Sequence, residues 1–295
     1  MNDRTTNPAN VPAIGRTEKD PDMTFYDKLR QAWQANDSLV CVGLDPDPSK
    51  LPACVKGLDK PVFAFNKAIV DATKDLVCAY KPQAACYAAQ NADDQLAETI
   101  RYIHEVAPAV PVILDAKRAD IGNTTRMYVS EAFDRYQADA VTVNPYMGMD
   151  AIKPFLDCAD KGVVVLCRTS NGGAKEIQEL VLQNGEMLYQ YLAARISTVW
   201  NYNGNVLLVT GATCPEELGD IRRRVGDSVA LLVPGIGAQG GDLEGVLRNG
   251  LTADKTGLVI NSSRGIIFAS SGEDFADAAR REALKLRDAI NAFRR

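Results

Sequence analysis

A chain of 295 residues with 46% hydrophobic side chains can bury one large α/β barrel or two ordinary domains, and length alone does not choose between them. The net charge of −5 argues against general nucleic-acid binding, which needs a basic face to neutralise phosphates, but leaves room for a small anion held by local cations. No run approaches the roughly 18 apolar residues of a membrane-spanning helix, and Met1-Asn2-Asp3-Arg4-Thr5-Thr6-Asn7-Pro8 lacks the apolar core of a secretion signal, so a cytoplasmic protein without a membrane partner is expected.

Residues 1–22 are polar, carry Pro8, Pro12 and Pro21, and read as a disordered lead-in to a single domain over 23–295. An amphipathic helix is expected over 25–36. Strands follow at 38–44, 78–82, 110–116, 140–144, 162–168, 206–210, 229–233 and 257–261. Helical patterns fall between them, at 60–76, 94–106, 124–136, 151–159, 174–203, 215–225 and 242–249, with a last one at 274–293. Most strands are continuous apolar runs such as Val163-Val164-Val165-Leu166, as expected when both faces of a parallel sheet are buried. Eight β/α units predict a (β/α)8 TIM barrel with an extra N-terminal helix. An open doubly wound sheet is the alternative, but it usually shows G-x-G-x-x-G after its first strand, where this chain has Gly43-Leu44-Asp45-Pro46-Asp47.

Cys41, Cys54, Cys78, Cys86, Cys158, Cys167 and Cys214 include no C-x-x-C pair and read as reduced packing residues. His104 is the single histidine and sits in a helical pattern, so serine–histidine catalysis or a multi-histidine metal site would have to be built around it.

The chemistry gathers where the strands end. Asp115-Ala116-Lys117-Arg118-Ala119-Asp120 follows the apolar run 110–114 and sets two acids around one lysine. Strand alternation places Asp115 and Lys117 on one side, with Asp120 able to fold back from the loop. At about 4 Å and an effective dielectric near 20, each acid–lysine pair carries roughly 4 kcal/mol of Coulomb energy. Taken alone, the hexapeptide reads more readily as the solvated rim of a strand. After the seventh strand, Pro234-Gly235-Ile236-Gly237-Ala238-Gln239-Gly240-Gly241 lets backbone N–H groups approach an anion, with Gln239 as a side-chain donor. After the eighth, Asn261-Ser262-Ser263-Arg264-Gly265 offers the planar fork of Arg264 to phosphate oxygens. Asp45, Lys81, Ser170 and Asn171 each have a plain alternative as a cap, a surface cation or loop-shaping residues. Their convergence on one rim is what favours a site.

Together, Asp115-x-Lys117-x-x-Asp120 with Ile121-Gly122-Asn123-Thr124, Gly43-Leu44-Asp45, Lys81-Pro82-Gln83, Thr169-Ser170-Asn171 and Ser263-Arg264-Gly265 make the chain resemble orotidine 5′-phosphate decarboxylase, in its longer bacterial (type 2) branch, over about residues 25–290. The resemblance implies decarboxylation of orotidine 5′-monophosphate to uridine 5′-monophosphate without metal or organic cofactor. It implies Lys117 as the proton donor to C6, with Asp115 and Asp120 as the acids that position and stress the site. Asp120 and Thr124 would reach in from the partner of a homodimer. It further implies Asp45 and Lys81 on the ribose, Ser170 on the pyrimidine amide edge, and Gln239 with Arg264 on the phosphate. Ala119 stands where the family has glycine, and Gly172 replaces a common proline, which removes one source of rigidity from the pyrimidine loop. The nearest rival is a metal-dependent sugar-phosphate decarboxylase or aldolase on the same barrel, in which Asp115 would hold Mg2+ instead of a lysine.

Overall fold

The computed structural model describes residues 23–236 and 241–295; the lead-in expected over 1–22 lies outside them. Eight parallel strands alternate with helices: β1 (Val40–Leu44), β2 (Ala79–Pro82), β3 (Ile113–Arg118), β4 (Ala140–Val143), β5 (Gly162–Arg168), β6 (Val206–Thr210), β7 (Leu231–Pro234) and β8 (Leu258–Ser262). Their order, β2-β1-β8-β7-β6-β5-β4-β3, puts β2 and β3 at the two ends of the ladder. Isolated bridges Tyr80↔Val112 and Gln83↔Asp115 join those ends and close the barrel. The strands are almost wholly buried, as their apolar runs require when helices cover one face and side chains fill the other.

The helix Phe25–Ala35 begins at a capping box between Thr24 and Asp27 and lies across the N-terminal mouth of the barrel. Phe25 packs so closely on the start of β5 that a methyl at Gly162 would sit 2.7 Å from its ring. The Tyr26 hydroxyl donates to the Val206 carbonyl at 2.8 Å and accepts from the Ala230 amide at 2.9 Å, tying the helix to β6 and to the residue before β7. Lys28 joins the same end, with its Nζ 2.6 Å from Asp139 Oδ1. Asp139 Oδ2 is 2.9 Å from His104 Nε2 and accepts from the Val112 amide at 2.8 Å. Burial opposes the charge of Asp139, but His104 and Lys28 outweigh it and hold the carboxyl down at about 2. The lone histidine therefore braces the end of the barrel opposite the strand C-termini, far from the clustered chemistry.

One expected helix is broken. The pattern over 174–203 resolves into Ala174–Gln178, an antiparallel bridge between Val181 and Met187, and Leu188–Arg195 continued by a π turn at Ile196–Trp200. Asn184-Gly185 explains the break: Gly185 adopts φ 83°, and Asn184 Oδ1 accepts from the Glu186 amide at 3.1 Å, a local turn that competes with helix. Among the described residues, no helix is long and apolar enough to cross a membrane.

Candidate active site

The C-terminal ends of the strands surround a cavity of about 510 Å³, lined by Asp45, Lys81, Asp115, Lys117, Ser170 and Arg264 among others. Six of the nine residues expected from the sequence therefore meet in one place. Its floor is a row of alternating charge. Asp45 Oδ1, just past β1, lies 3.9 Å from Lys81 Nζ on β2. The same Nζ is 2.9 Å from Asp115 Oδ2, and Asp115 Oδ1 is 2.6 Å from Lys117 Nζ.

Lys81 is 3% exposed and Asp115 is 7% exposed, whereas the Lys117 side chain is 47% exposed and faces the cavity. Burial by itself would discharge Lys81, but Asp115 and Asp45 outweigh it and raise its pKa. Burial would likewise protonate Asp115, but Lys81 and Lys117 hold its carboxyl well below the usual carboxylate range. The Asp115 contribution to stability is present above the ordinary carboxylate pKa of about 3.9 and is lost as pH falls through its folded value. That of Lys81 is present below about 10.4 and is lost as pH rises through its folded value. Across the neutral range, both groups stay charged.

Strand alternation is not what brings Asp115 and Lys117 together. Leu114 pairs with Val141, yet Arg118 pairs with Val143, so β3 carries two more residues than β4 over this stretch and bulges. Lys117 takes φ 48° within the bulge, a left-handed conformation that costs a non-glycine residue about 1–2 kcal/mol. The bulge turns Lys117 toward the cavity while the Asp115 side chain remains at its floor.

Asp120 does not fold back to complete the trio within its own chain. Its Oδ1 accepts from the Ile121 amide at 2.8 Å. Neither it nor Thr124 lines the cavity, and Thr124 is exposed on the helix Gly122–Ser130. The bulged strand runs on into this helix and carries both residues to the rim. Gln239 lies outside the described residues.

Sequence reading also missed residues that shape the cavity. Gln178 braces the loop that follows β5: its Oε1 accepts from the Thr169 amide at 2.8 Å, and its Nε2 donates to Thr169 Oγ1 at 2.9 Å. Thr169 Oγ1 in turn donates to Asn171 Oδ1 at 2.6 Å, and the buried Arg168 is anchored to Glu179 at 2.6 Å. Gly211 packs directly behind the loop, where a Cβ would lie 2.6 Å from Ser170 Cβ. These contacts fix Thr169, Ser170 and Asn171 from both sides, ahead of Gly172. The missed signal was the Asn184-Gly185 turn, which frees Ala174–Gln178 to serve as a loop brace. At the other wall, Asp45 Oδ1, Asn261 Oδ1 and Ser263 Oγ are buried without a hydrogen-bond partner among the described residues. Buried acceptors left open in this way suit a ligand that brings hydroxyl groups.

Residues 38–279 match the family model described as orotidine 5′-phosphate decarboxylase / HUMPS family. The chain belongs to that family. It is 59% identical over 272 residues to an orotidine 5′-phosphate decarboxylase of Ralstonia pickettii, covering 92% of this chain and 100% of the relative. It is 58% identical over 272 residues to one of Dechloromonas aromatica, with the same 92% and 100% coverage. Among solved structures, it is similar to the OMP decarboxylase of Leishmania donovani at TM-score 0.79 and 38% identity, over 92% of this chain and 99% of that one. The UMP synthase of Leishmania donovani is similar at TM-score 0.81 and 40% identity, over 92% of this chain and 57% of that one.

Proposed function

We propose that the chain decarboxylates orotidine 5′-monophosphate to uridine 5′-monophosphate and CO2, with Lys117 as the group that delivers the proton to C6. The observation that carries this reading is the cavity-facing Lys117 ammonium held 2.6 Å from Asp115, whose other oxygen is held 2.9 Å from Lys81. When the C6–carboxylate bond breaks, its electron pair stays on C6 in an in-plane orbital that cannot spread into the ring π system. A fixed cation stabilises that pair as it forms, and the same nitrogen then gives C6 a proton and is reprotonated from solvent. Asp115, kept ionised by its two lysines, adds repulsion to the departing carboxylate.

The other groups bind what does not react. Asp45 and Lys81 face the ribose hydroxyls, Ser170 faces the amide edge of the ring, and Arg264 and Gln239 take the phosphate. Both Asp115 oxygens face ammonium groups, which favours this reading over a Mg2+-dependent sugar-phosphate reaction at the same carboxylate. The direct test follows the loss of the orotate chromophore with purified protein and orotidine 5′-monophosphate in EDTA. Turnover is expected, and its absence, or its abolition by the chelator, overturns the reading.

The reading extends to a homodimer in which Asp120 and Thr124 of the partner subunit complete the row beside Lys117. Ile121 is 58% exposed, Met127 67% and Tyr146 83%, which gives the face bearing Asp120 and Thr124 an uncovered apolar character suited to a second copy. Two inactive proteins, Lys117→Ala and Asp120→Asn, should regain activity when unfolded and refolded together. Random pairing makes half of the dimers mixed, each with one intact site, so activity of roughly a quarter of the parent is expected. If the mixture stays as inactive as its components, Asp120 does not act across subunits.

A further inference from the structure

We infer that Thr142 is a positioning residue for this decarboxylation, one hydroxyl on β4 that fixes both the Lys117 backbone and the Asp115 carboxylate on β3. The inference rests on the roles proposed above for those two groups. Thr142 is 1% exposed and stands at the base of the cavity, beside the bulge. A threonine hydroxyl has one proton and two lone pairs. The proton goes to Asp115 Oδ1 at 2.9 Å, while the lone pairs accept the consecutive amides of Ala116 and Lys117, each at 2.9 Å.

All three capacities are therefore used within the protein, and none is left for a ligand. Two successive amides can aim at one oxygen only because the chain leaves the strand at this point, where Lys117 adopts φ 48°. The extra residues of the bulge have lost their ladder partners, and the hydroxyl replaces them. It also holds the Asp115 oxygen that faces the Lys117 ammonium. One side chain thus sets both ends of the acid–lysine pair.

The test compares Thr142→Val, which keeps the shape and removes every hydrogen bond, with Thr142→Ser, which keeps the hydroxyl. The valine variant should lose about 100-fold in kcat, the scale expected when a reacting group shifts by about 1 Å. Its affinity for uridine 5′-monophosphate should change by less than about threefold, because the phosphate, ribose and ring-edge contacts lie elsewhere. The serine variant should retain kcat within about threefold of the parent. Three results overturn the inference: the valine variant keeps its kcat, the serine variant falls as far as the valine variant, or kcat and product affinity fall together. Should Thr142→Val fail to fold, Thr142→Ala makes the same comparison, since it removes the hydroxyl without crowding. An inactive parent protein would instead overturn the proposed reaction itself, which separates the two failures.

Discussion

Replacing Lys117 with alanine is expected to lower kcat by at least about 10^4-fold, combining a general-acid contribution of about 10^2–10^4 with an electrostatic one of about 10^2–10^3. The protein should nonetheless fold with its site recognisable. Asp115 keeps Lys81 at 2.9 Å and the Thr142 hydroxyl at 2.9 Å, so the buried carboxylate is not left bare. Binding of uridine 5′-monophosphate, measured by calorimetry, should weaken by less than about tenfold, because the lost group acts on charge that exists only during reaction. Turnover within about a hundredfold of the parent would remove Lys117 as proton donor.

Arg264→Ala should cost kcat/KM about 10^2–10^4, the range for losing a charged, two-pronged hydrogen bond to phosphate at about 1.5–3 kcal/mol per bond. Arg264 opens the helix Arg264–Ile267 at the end of β8 and makes no ion pair among the described residues, so its fork is free to meet an anion. Bond-breaking of this kind requires about 20 kcal/mol of transition-state stabilisation, more than a few charge pairs on the cavity floor can supply. Binding energy from the phosphate must contribute to the chemical step, so kcat should fall along with affinity. The comparison substrate is the nucleoside without its phosphate, for which Arg264→Ala should change kcat/KM by less than about threefold. Equal losses for both substrates would place Arg264 elsewhere in the mechanism.

Much of this arrangement was legible in the residue order, for reasons that differ by element. The strands over 162–168 and 206–210 and the helix over 215–225 fall where they were expected, because apolar runs between turn residues leave little freedom. Asp115 and Lys117 do meet, but through a bulge that alternation does not foresee. A lone Thr142 inside Ala140-Val141-Thr142-Val143 reads as strand filler, and its hydroxyl gains meaning only when the neighbouring strand bulges against it. Asp120 shares a motif with Lys117 but not a cavity, since sequence proximity says nothing of the direction the chain takes after Arg118. The brace from Gln178 was hidden for the opposite reason: a strong helical period ran straight through the turn that separates it from Leu188–Arg195.

The barrel closes between β2 and β3 by isolated bridges, whereas β1 and β2 pair at four successive positions and β7 and β8 do the same. Lys81 and Asp115 span that same junction from opposite sides. The contact at the centre of the cavity floor is thus also a clasp on the thinnest stretch of the wall. Removing either side chain should therefore loosen the cylinder at this seam as well as strip the cavity floor of its charge.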